Sequence, residues 1–458
     1  MDINNYFELE YLKELYTRKI KKSKSKGIDK VSSETFEKNL NENLNLIIRK
    51  VLNKTYKFSP YLEILKLKGR NKSPRVISIP TIRDKIVLLA IKEILHDAFA
   101  TDVNRKLPNN YIKDIKKYLD ANSGENFYLK LDLEKFYDKI NRNILMEKLK
   151  DRDLPDGTEE LILEAISTIT VPLNTKKSSY INYESPLGVP QGLSISNILA
   201  QIYVLDFDKT ILKRKYFYQR YVDDILLINN ASFSSFRVDN FTTEIEKLKL
   251  SINKEKTEQN SLNNLPFTFL SYKISNSNIS VAEKNVELFL RRIAGKFTWF
   301  KNGLHNKDKR PEYLKNDIEK FKRVFLEELN ESITGTISNE KNYGWLFYFS
   351  EITDVNLLFR LDKIISNFFK GIDEFDNAAP NQLKKLVRTY YCIKHKDLNY
   401  IANFDIYDTI RKKRDFLVFR GRISRTQSYS DEQINLKFEK YQLNRIYKLE
   451  KDLGYKYF

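Results

Sequence analysis

Cysteine is nearly absent from this chain. Cys392 is the single one in 458 residues, which excludes an internal disulfide framework and a cysteine-built zinc centre. Histidine is almost as scarce: His96, His305 and His395 stand far apart, each more readily a structural or surface residue than a ligand. Metal chemistry therefore falls to carboxylates, whose hard oxygens suit Mg²⁺ or Mn²⁺. No apolar run is long enough to span a bilayer, and the opening "MDINNYFELEYLKELY" is acidic and lacks the apolar core of a signal peptide. No membrane partner and a cytoplasmic location are expected. Acidic residues are also in deficit, 61 against 80 Lys and Arg, for a net charge of +19. Such an excess points first to nucleic acid, because neutralising phosphates releases counterions, and second to an anionic membrane surface. Aromatic side chains are plentiful, with 28 Tyr and 29 Phe. They argue for a folded chain, and its length for two or three packed units.

Apolar periodicity places a helix over residues 4–20, followed by a basic loop, and another over "SSETFEKNLNENLNLIIRKVLNKTY" capped by Ser32 or Ser33. "YLEILKLKGRNKSPRVISIP" reads as two strands joined by a basic turn, and "TIRDKIVLLAIKEILHDAF" as a buried helix. "FYLKLDLEKFY" is a strand running into a helix near Asn141; "SPLGVPQGLSIS" is a loop opening a helix from Asn197 to Phe207. A hairpin, a helix ending near "LKLSINKEKT", and the strands "FTFLSYKIS" and "NIS" come next. From about residue 283 the pattern is helical, with turns at "KNGLHNKDKRPEY", "ITGTISNEKNYG" and "DNAAPNQ".

In "RYVDDILLI" two acids, Asp223 and Asp224, sit side by side in an otherwise apolar stretch. One reading is a polar hairpin turn between two strands. The other is a divalent-metal site, since a cation's charge offsets the repulsion of paired carboxylates. A third acid, Asp132, lies in the strand-like "LKLDLEKFYDKI". Two acids on a hairpin beside a third on a neighbouring strand could hold the two metals of phosphoryl transfer, which stand about 3.5–4 Å apart.

Over roughly residues 27 to 290 these segments, together and in order, resemble the reverse transcriptase family, in the bacterial branch that holds group II intron and retron enzymes. The resemblance rests on "KGIDKVSSETFEKNL", "PRVISIPTIRDKIV", "LDLEKFYDKI", "SPLGVPQGLSISNILAQI", "RYVDD", "LKLSINKEKT" and "FLSYKI". It implies an α+β right-hand polymerase fold: fingers and palm to residue 282, a helical thumb over 283–375, and a mainly α-helical, RNA-binding C-terminal region over 376–458. It also implies site roles. Asp132, Asp223 and Asp224 would be catalytic acids holding two Mg²⁺ ions, with Mn²⁺ able to substitute and the Leu133 carbonyl adding a contact. Arg75, with Lys72 or Arg70 assisting, would hold the dNTP triphosphate. Tyr137 would press on a 2′-hydroxyl, Gln191 would lie against the nucleotide with Pro190 and Gly192 fixing its turn, Lys256 would protonate pyrophosphate, and Phe269 to Tyr272 would grip the primer.

The chain also departs from the family. The segment after Phe99 lacks the Tyr-Gly-Phe-Arg-Pro type of sequence, no Cys/His-rich endonuclease module is present, and the retron Asn-Ala-x-x-His element is missing. These disfavour a mobile intron maturase and a standard retron enzyme. The tail shows no RNase H acid set either. "ITGTISNEKNYGWLFYFSEITDVNLLFRLDKII" resembles the defence-associated and abortive-infection reverse transcriptases, which implies a noncoding RNA template, a DNA or RNA–DNA product and antiphage use. "RKKRDFLVFRGRISR" interleaves cations with Phe as RNA-binding surfaces do, or is a solvated face. Tyr455 and Tyr457 are candidate protein primers. The exposed edges and many aromatics leave room for a homo-oligomer. Template-independent or protein-primed synthesis on the same palm, and an idle RNA-binding scaffold, are the competing readings.

Overall fold

The computed structural model describes all of the 458 residues except 22, 24, 68–72, 104–105, 123, 231–235, 237 and 452–458. Lys72, Arg70, Tyr455 and Tyr457 therefore lie outside the described residues. Two compact units emerge: residues 1–105 with 127–260, and residues 106–126 with 261–458. The sequence pattern puts the first boundary at 282; the compact units divide instead at Asn260, and Lys106–Asn126 groups with the C-terminal half.

Among the described residues the N-terminal unit contains strands β1 (Tyr61–Lys66), β2 (Arg75–Ile79), β3 (Phe127–Asp132), β4 (Thr170–Val171), β5 (Phe217–Tyr221), β6 (Asp224–Asn229) and all but the last residue of β7 (Glu258–Ser261). One sheet has the order β2-β1-β4, the other β5-β6-β3-β7. β6 is central, antiparallel to β3 and β5, which explains why its Ile225–Ile228 run is apolar on both faces and fully buried. The helix Ile82–Ala98 is buried nearly all round. Its start is fixed by Thr81 and by the buried Asp84, which accepts hydrogen bonds from Tyr56 Oη (2.7 Å), Thr81 Oγ1 (2.7 Å) and the Ser59 N–H (3.2 Å).

Several expected elements are cut shorter. Ser32 does cap a helix, accepting from the Thr35 N–H, but that helix stops at Glu37 and a second runs Leu40–Leu52. The strand over "FYLKLDLEKFY" ends at Asp132, because Lys135 takes a left-handed φ of 48° before the short helix Phe136–Lys139. The helix expected over Asn197–Phe207 breaks at Val204 into Ser196–Tyr203 and Leu205–Leu212.

The C-terminal unit holds a meander of β8 (Phe267–Phe269), β9 (Tyr272–Ile274) and β10 (Ile279–Val281). "ITGTISNEKNYG" is more than the expected turn: β11 (Thr336–Ser338) and β12 (Lys341–Tyr343) form a hairpin, and β13 (Ala402–Asn403) joins β11 in parallel. Asn339 and Glu340 both take positive φ, 49° and 59°, the geometry of a type I′ turn that usually needs glycine. The Asp405 carboxylate compensates by accepting both of their N–H groups, at 2.6 and 2.9 Å. The remainder is mainly helical, around an aromatic core in which Phe300 stacks on Phe325 at 4.2 Å and on Phe321 at 4.9 Å. Among the described residues no helix is long and apolar enough to cross a membrane.

A buried ionic network ties the last helix, Asp431–Lys451, to the helix Ile318–Thr334. Arg445 pairs with Glu331 and, at 2.9 Å, with Glu328; Arg420 reaches Glu331 at 2.7 Å and Glu327 at 3.2 Å. Burial alone would raise the Glu328 carboxyl, but Arg445, Lys296, Lys448 and Arg422 outweigh it and hold it at about 2. A native carboxyl below its usual value contributes stability that is complete above about pH 4.5 and lost as pH falls toward 2. For Glu328 the contribution is on the order of 3 kcal/mol. Urea midpoints followed by near-UV circular dichroism should drop steeply across that window. Glu328→Gln should be less stable at pH 7 and show a shallower acid slope; an unchanged slope would refute the assignment.

Candidate active site

Strand pairing alone brings the acids together. In the β3–β6 register Asp132 stands opposite Asp224, and in the β5–β6 register Tyr221 stands opposite Asp224. Val222 and Asp223 therefore form a two-residue turn, so Asp224 begins the second strand rather than completing the turn. Val222 has φ 58°, a left-handed conformation that a β-branched residue rarely adopts. What holds it is Arg220, whose Nη1 donates to the Val222 carbonyl at 3.0 Å while its Nε bonds Asp208 at 2.8 Å. Tyr218 also donates to Asp208.

The electrostatics of the three acids are those of a site short of positive charge. Burial pushes the Asp224 carboxyl up to about 6; Lys130 opposes this, while Asp223 and Asp132 add to it. Burial likewise raises Asp223, with Asp132 raising it further and Arg75 and Lys256 opposing. Lys256 Nζ lies 2.7 Å from Asp132 Oδ2. Arg75 Nε is buried and without a hydrogen-bond partner among the described residues. Among the described residues no three acidic, His or Cys side chains are gathered into a ligand cage. The donor chemistry nonetheless fits a hard divalent cation: three carboxylates, two of them raised chiefly by burial and only partly offset by Lys130, Arg75 and Lys256.

The loop "SPLGVPQG" is folded against β2 and the segment Tyr137–Ile140 that follows β3. The Val189 N–H donates to the Tyr137 carbonyl at 2.9 Å and the Gly188 N–H to that of Ile140 at 2.8 Å, while the Ser78 N–H donates to the Gln191 carbonyl at 2.7 Å. Gln191 Nε2 reaches Asp138 Oδ1 at 3.3 Å, and Ser196 Oγ closes the turn on the Pro190 carbonyl at 2.6 Å. Gly192 has φ 109°, and a Cβ there would meet Ile77 Cγ2 at 2.8 Å and the Ser78 carbonyl oxygen at 2.9 Å, so glycine is needed both for conformation and for space. Tyr137 is half-buried, packed on the main core of its unit with Phe136 beside it at 5.6 Å. Leu133 bridges Ile252, and the Asn253 N–H donates to the Asp132 carbonyl at 2.8 Å, which carries Lys256 to the acids.

Of the sequence-predicted residues, Asp132, Asp223, Asp224, Lys256 and Arg75 interact through contact or charge, while the loop bonds the Tyr137 carbonyl through Val189 and carries Gln191 to Asp138. Phe269–Tyr272 forms the β8–β9 turn of the C-terminal unit, with Leu270 and Ser271 at φ 48° and 65°. Sequence reasoning missed Arg142. Its guanidinium bonds the carbonyls of Ser185 (2.7 Å), Leu187 (3.1 Å) and Gly188 (2.9 Å), anchoring the loop in three places. No local pattern marks it, since its partners lie 43 to 46 residues away. Arg220 and Asp208 were missed too, although an arginine inside a strand beside two acids is a usable signal.

The family model described as reverse transcriptase (RNA-dependent DNA polymerase) matches residues 64–274. The COX1/OXI3 intron 2 protein of Saccharomyces cerevisiae is 29% identical over 176 residues, 36% of this chain and 19% of that protein. The group II intron-encoded protein LtrA of Lactococcus lactis subsp. cremoris is 24% identical over 216 residues, 44% of this chain and 33% of that one. The chain thus spans at most a third of these curated relatives' length. Among solved structures, telomerase from Candida albicans in complex with a TWJ fragment of telomeric RNA has a TM-score of 0.43 at 13% identity, covering 92% of this chain and 68% of that one. Apo telomerase from Candida tropicalis, truncated from its C-terminal domain, has a TM-score of 0.40 at 16% identity, covering 53% and 60%.

The loop's fit against β2 is testable by stability. Gly192→Ala should cost about 1–3 kcal/mol, from a strained φ and a forced shift of β2. Gly295→Ala, in the helix Glu283–His305 with nothing within 4 Å of the added carbon, should be neutral or stabilising by up to about 1 kcal/mol. Equal melting temperatures for the two variants would contradict the geometry.

Proposed function

We propose that this chain, which carries a reverse transcriptase domain over residues 64–274, is an RNA-directed DNA polymerase that extends a primer 3′-hydroxyl with dNTPs, making cDNA from an associated noncoding RNA. The observation that carries the reading is the pairing of Asp132 with Asp224, with Asp223 on the adjoining turn. Asp132, Asp223, Asp224 and the Leu133 carbonyl would hold the Mg²⁺ pair. When bound, those cations neutralise charge on the attacking and leaving oxygens of the displacement. Arg75, its Nε without a hydrogen-bond partner among the described residues, binds the triphosphate through charge-assisted bonds. Gln191 and the backbone of its loop seat the base and sugar. The ring of Tyr137 stands against the 2′ position and excludes a hydroxyl. Lys256 carries a proton beside Asp132 and delivers it to departing pyrophosphate.

The partners are a noncoding RNA template, dNTPs and a DNA or RNA–DNA duplex. The setting is antiphage defence in the cytoplasm, an extension that rests on sequence resemblance alone.

Protein purified with its bound RNA should incorporate labelled dNTPs in Mg²⁺ into DNase-sensitive product. Asp223→Asn with Asp224→Asn should abolish incorporation. Product that is homopolymeric from a single dNTP would instead favour template-independent synthesis, and a protease-induced mobility shift would favour a protein primer. Full biological activity of the double variant would favour the scaffold reading. Tyr137→Ala should raise rNTP use relative to dNTP use by about tenfold or more; an unchanged ratio would remove Tyr137 from sugar selection.

A further inference from the structure

The C-terminal unit contains a cleft of about 1420 Å³ that the reaction proposed above does not use. Tyr313 and the start of the helix Ile318–Thr334 form one wall; the helix Ile410–Phe419 and the segment 420–429 form the others. The volume exceeds the roughly 300–1,000 Å³ typical of small-ligand pockets, which suits a length of polymer.

Six cations line it: Lys320, Arg323, Lys412, Arg414, Arg422 and Arg425. Lys412 is paired with Asp408 and Arg422 with Glu328. The other four have no carboxylate within ion-pair distance among the described residues. Against them stand two acids, Asp317 and Asp415, and Asp317 is occupied in capping its helix through the Lys320 N–H at 2.8 Å. The cations alternate with flat side chains. The Arg323 guanidinium lies 4.5 Å over the Phe419 ring, and that of Arg422 4.5 Å over Tyr313. Phe419 keeps 42% of its surface exposed, and Tyr407 and Tyr429 add two more rings.

Cations alone would accept any polyanion. Rings and guanidinium planes at the same surface narrow the choice to a polyanion carrying flat π-faces, and only an unpaired strand leaves those faces free to stack. A short acidic peptide would use the charges and leave the rings idle. We propose that this cleft docks a single-stranded segment of RNA, its phosphates on Arg323, Arg414 and Arg425 and its bases against the Arg–aromatic pairs. The choice of RNA over DNA rests on the polymerase reading; the capture of a single strand rests on the cleft alone.

The test is anisotropy titration of the full chain with a short mixed-sequence single-stranded RNA, the DNA of the same sequence, the RNA duplex and an oligoglutamate peptide. Wild type should prefer single-stranded RNA. Arg323→Gln with Arg425→Gln, both at exposed positions, should bind at least tenfold more weakly. Its plot of log affinity against log salt should be shallower by about 1.4, two phosphate contacts at about 0.7 each. Phe419→Ala should weaken binding roughly tenfold through lost stacking and leave the salt slope unchanged. Melting curves establish that both variants fold, and 4-thiouridine crosslinks should fall within residues 406–429. Wild-type affinity in both variants, crosslinks confined to the N-terminal unit, or binding of oligoglutamate but not RNA would overturn the proposal; equal affinity for DNA would overturn the choice of RNA. dNTP incorporation in the same preparation separates the two readings. Strand binding without incorporation sinks the polymerase and keeps the cleft, and incorporation with no effect of the cleft variants does the reverse.

Discussion

Everything at the candidate site depends on one antiparallel register. Because side chains alternate faces along a strand, a slip of a single residue between β3 and β6 would carry Asp132 to the wrong side of the sheet. Apolar pairs deeper in the sheet lock that register. Leu131 pairs with Ile225 and Leu129 with Leu227, all fully buried, so any slip would expose a row of core side chains. The apolar half of "VDDILLI" therefore fixes where its acidic half must stand.

That placement has an electrostatic consequence. Two carboxylates held half-buried beside a third destabilise the chain they belong to, and the structure relieves this only in part. Lys256 contacts Asp132, Lys130 opposes the rise of Asp224, and Arg75 opposes that of Asp223. The uncompensated remainder leaves this end of the sheet negative. The scaffold around it is correspondingly rigid: Arg220 clamps the strained Val222 turn, and Arg142 clamps the loop that carries Gln191.

The acids, the loop glycine and the strand–helix order were legible in the sequence because each is local: adjacent carboxylates, alternation of period two, a Pro-Gln-Gly turn. What could not be read depends on distant partners. β4 is two residues long and exists because β1 pairs with it. The Asn339–Glu340 turn lacks glycine and is sustained by Asp405, 65 to 66 residues downstream. Arg142 likewise resembles any helical arginine until its three carbonyl partners are seen. The helix breaks at Val204 and after Glu37 went unread because apolar periodicity continues through both.

The pairing of Arg445 with Glu328 and Glu331 also bears on how the protein is made. Those two glutamates lie on a helix synthesised more than a hundred residues before the arginine that neutralises them, and a buried carboxylate without its partner is strongly destabilising. Arg420 and Arg422 offset part of that charge earlier, and Arg445 completes the network last. That pairing becomes available only once residue 445 has been synthesised, whereas most of the N-terminal unit's contacts are available as soon as residue 260 emerges.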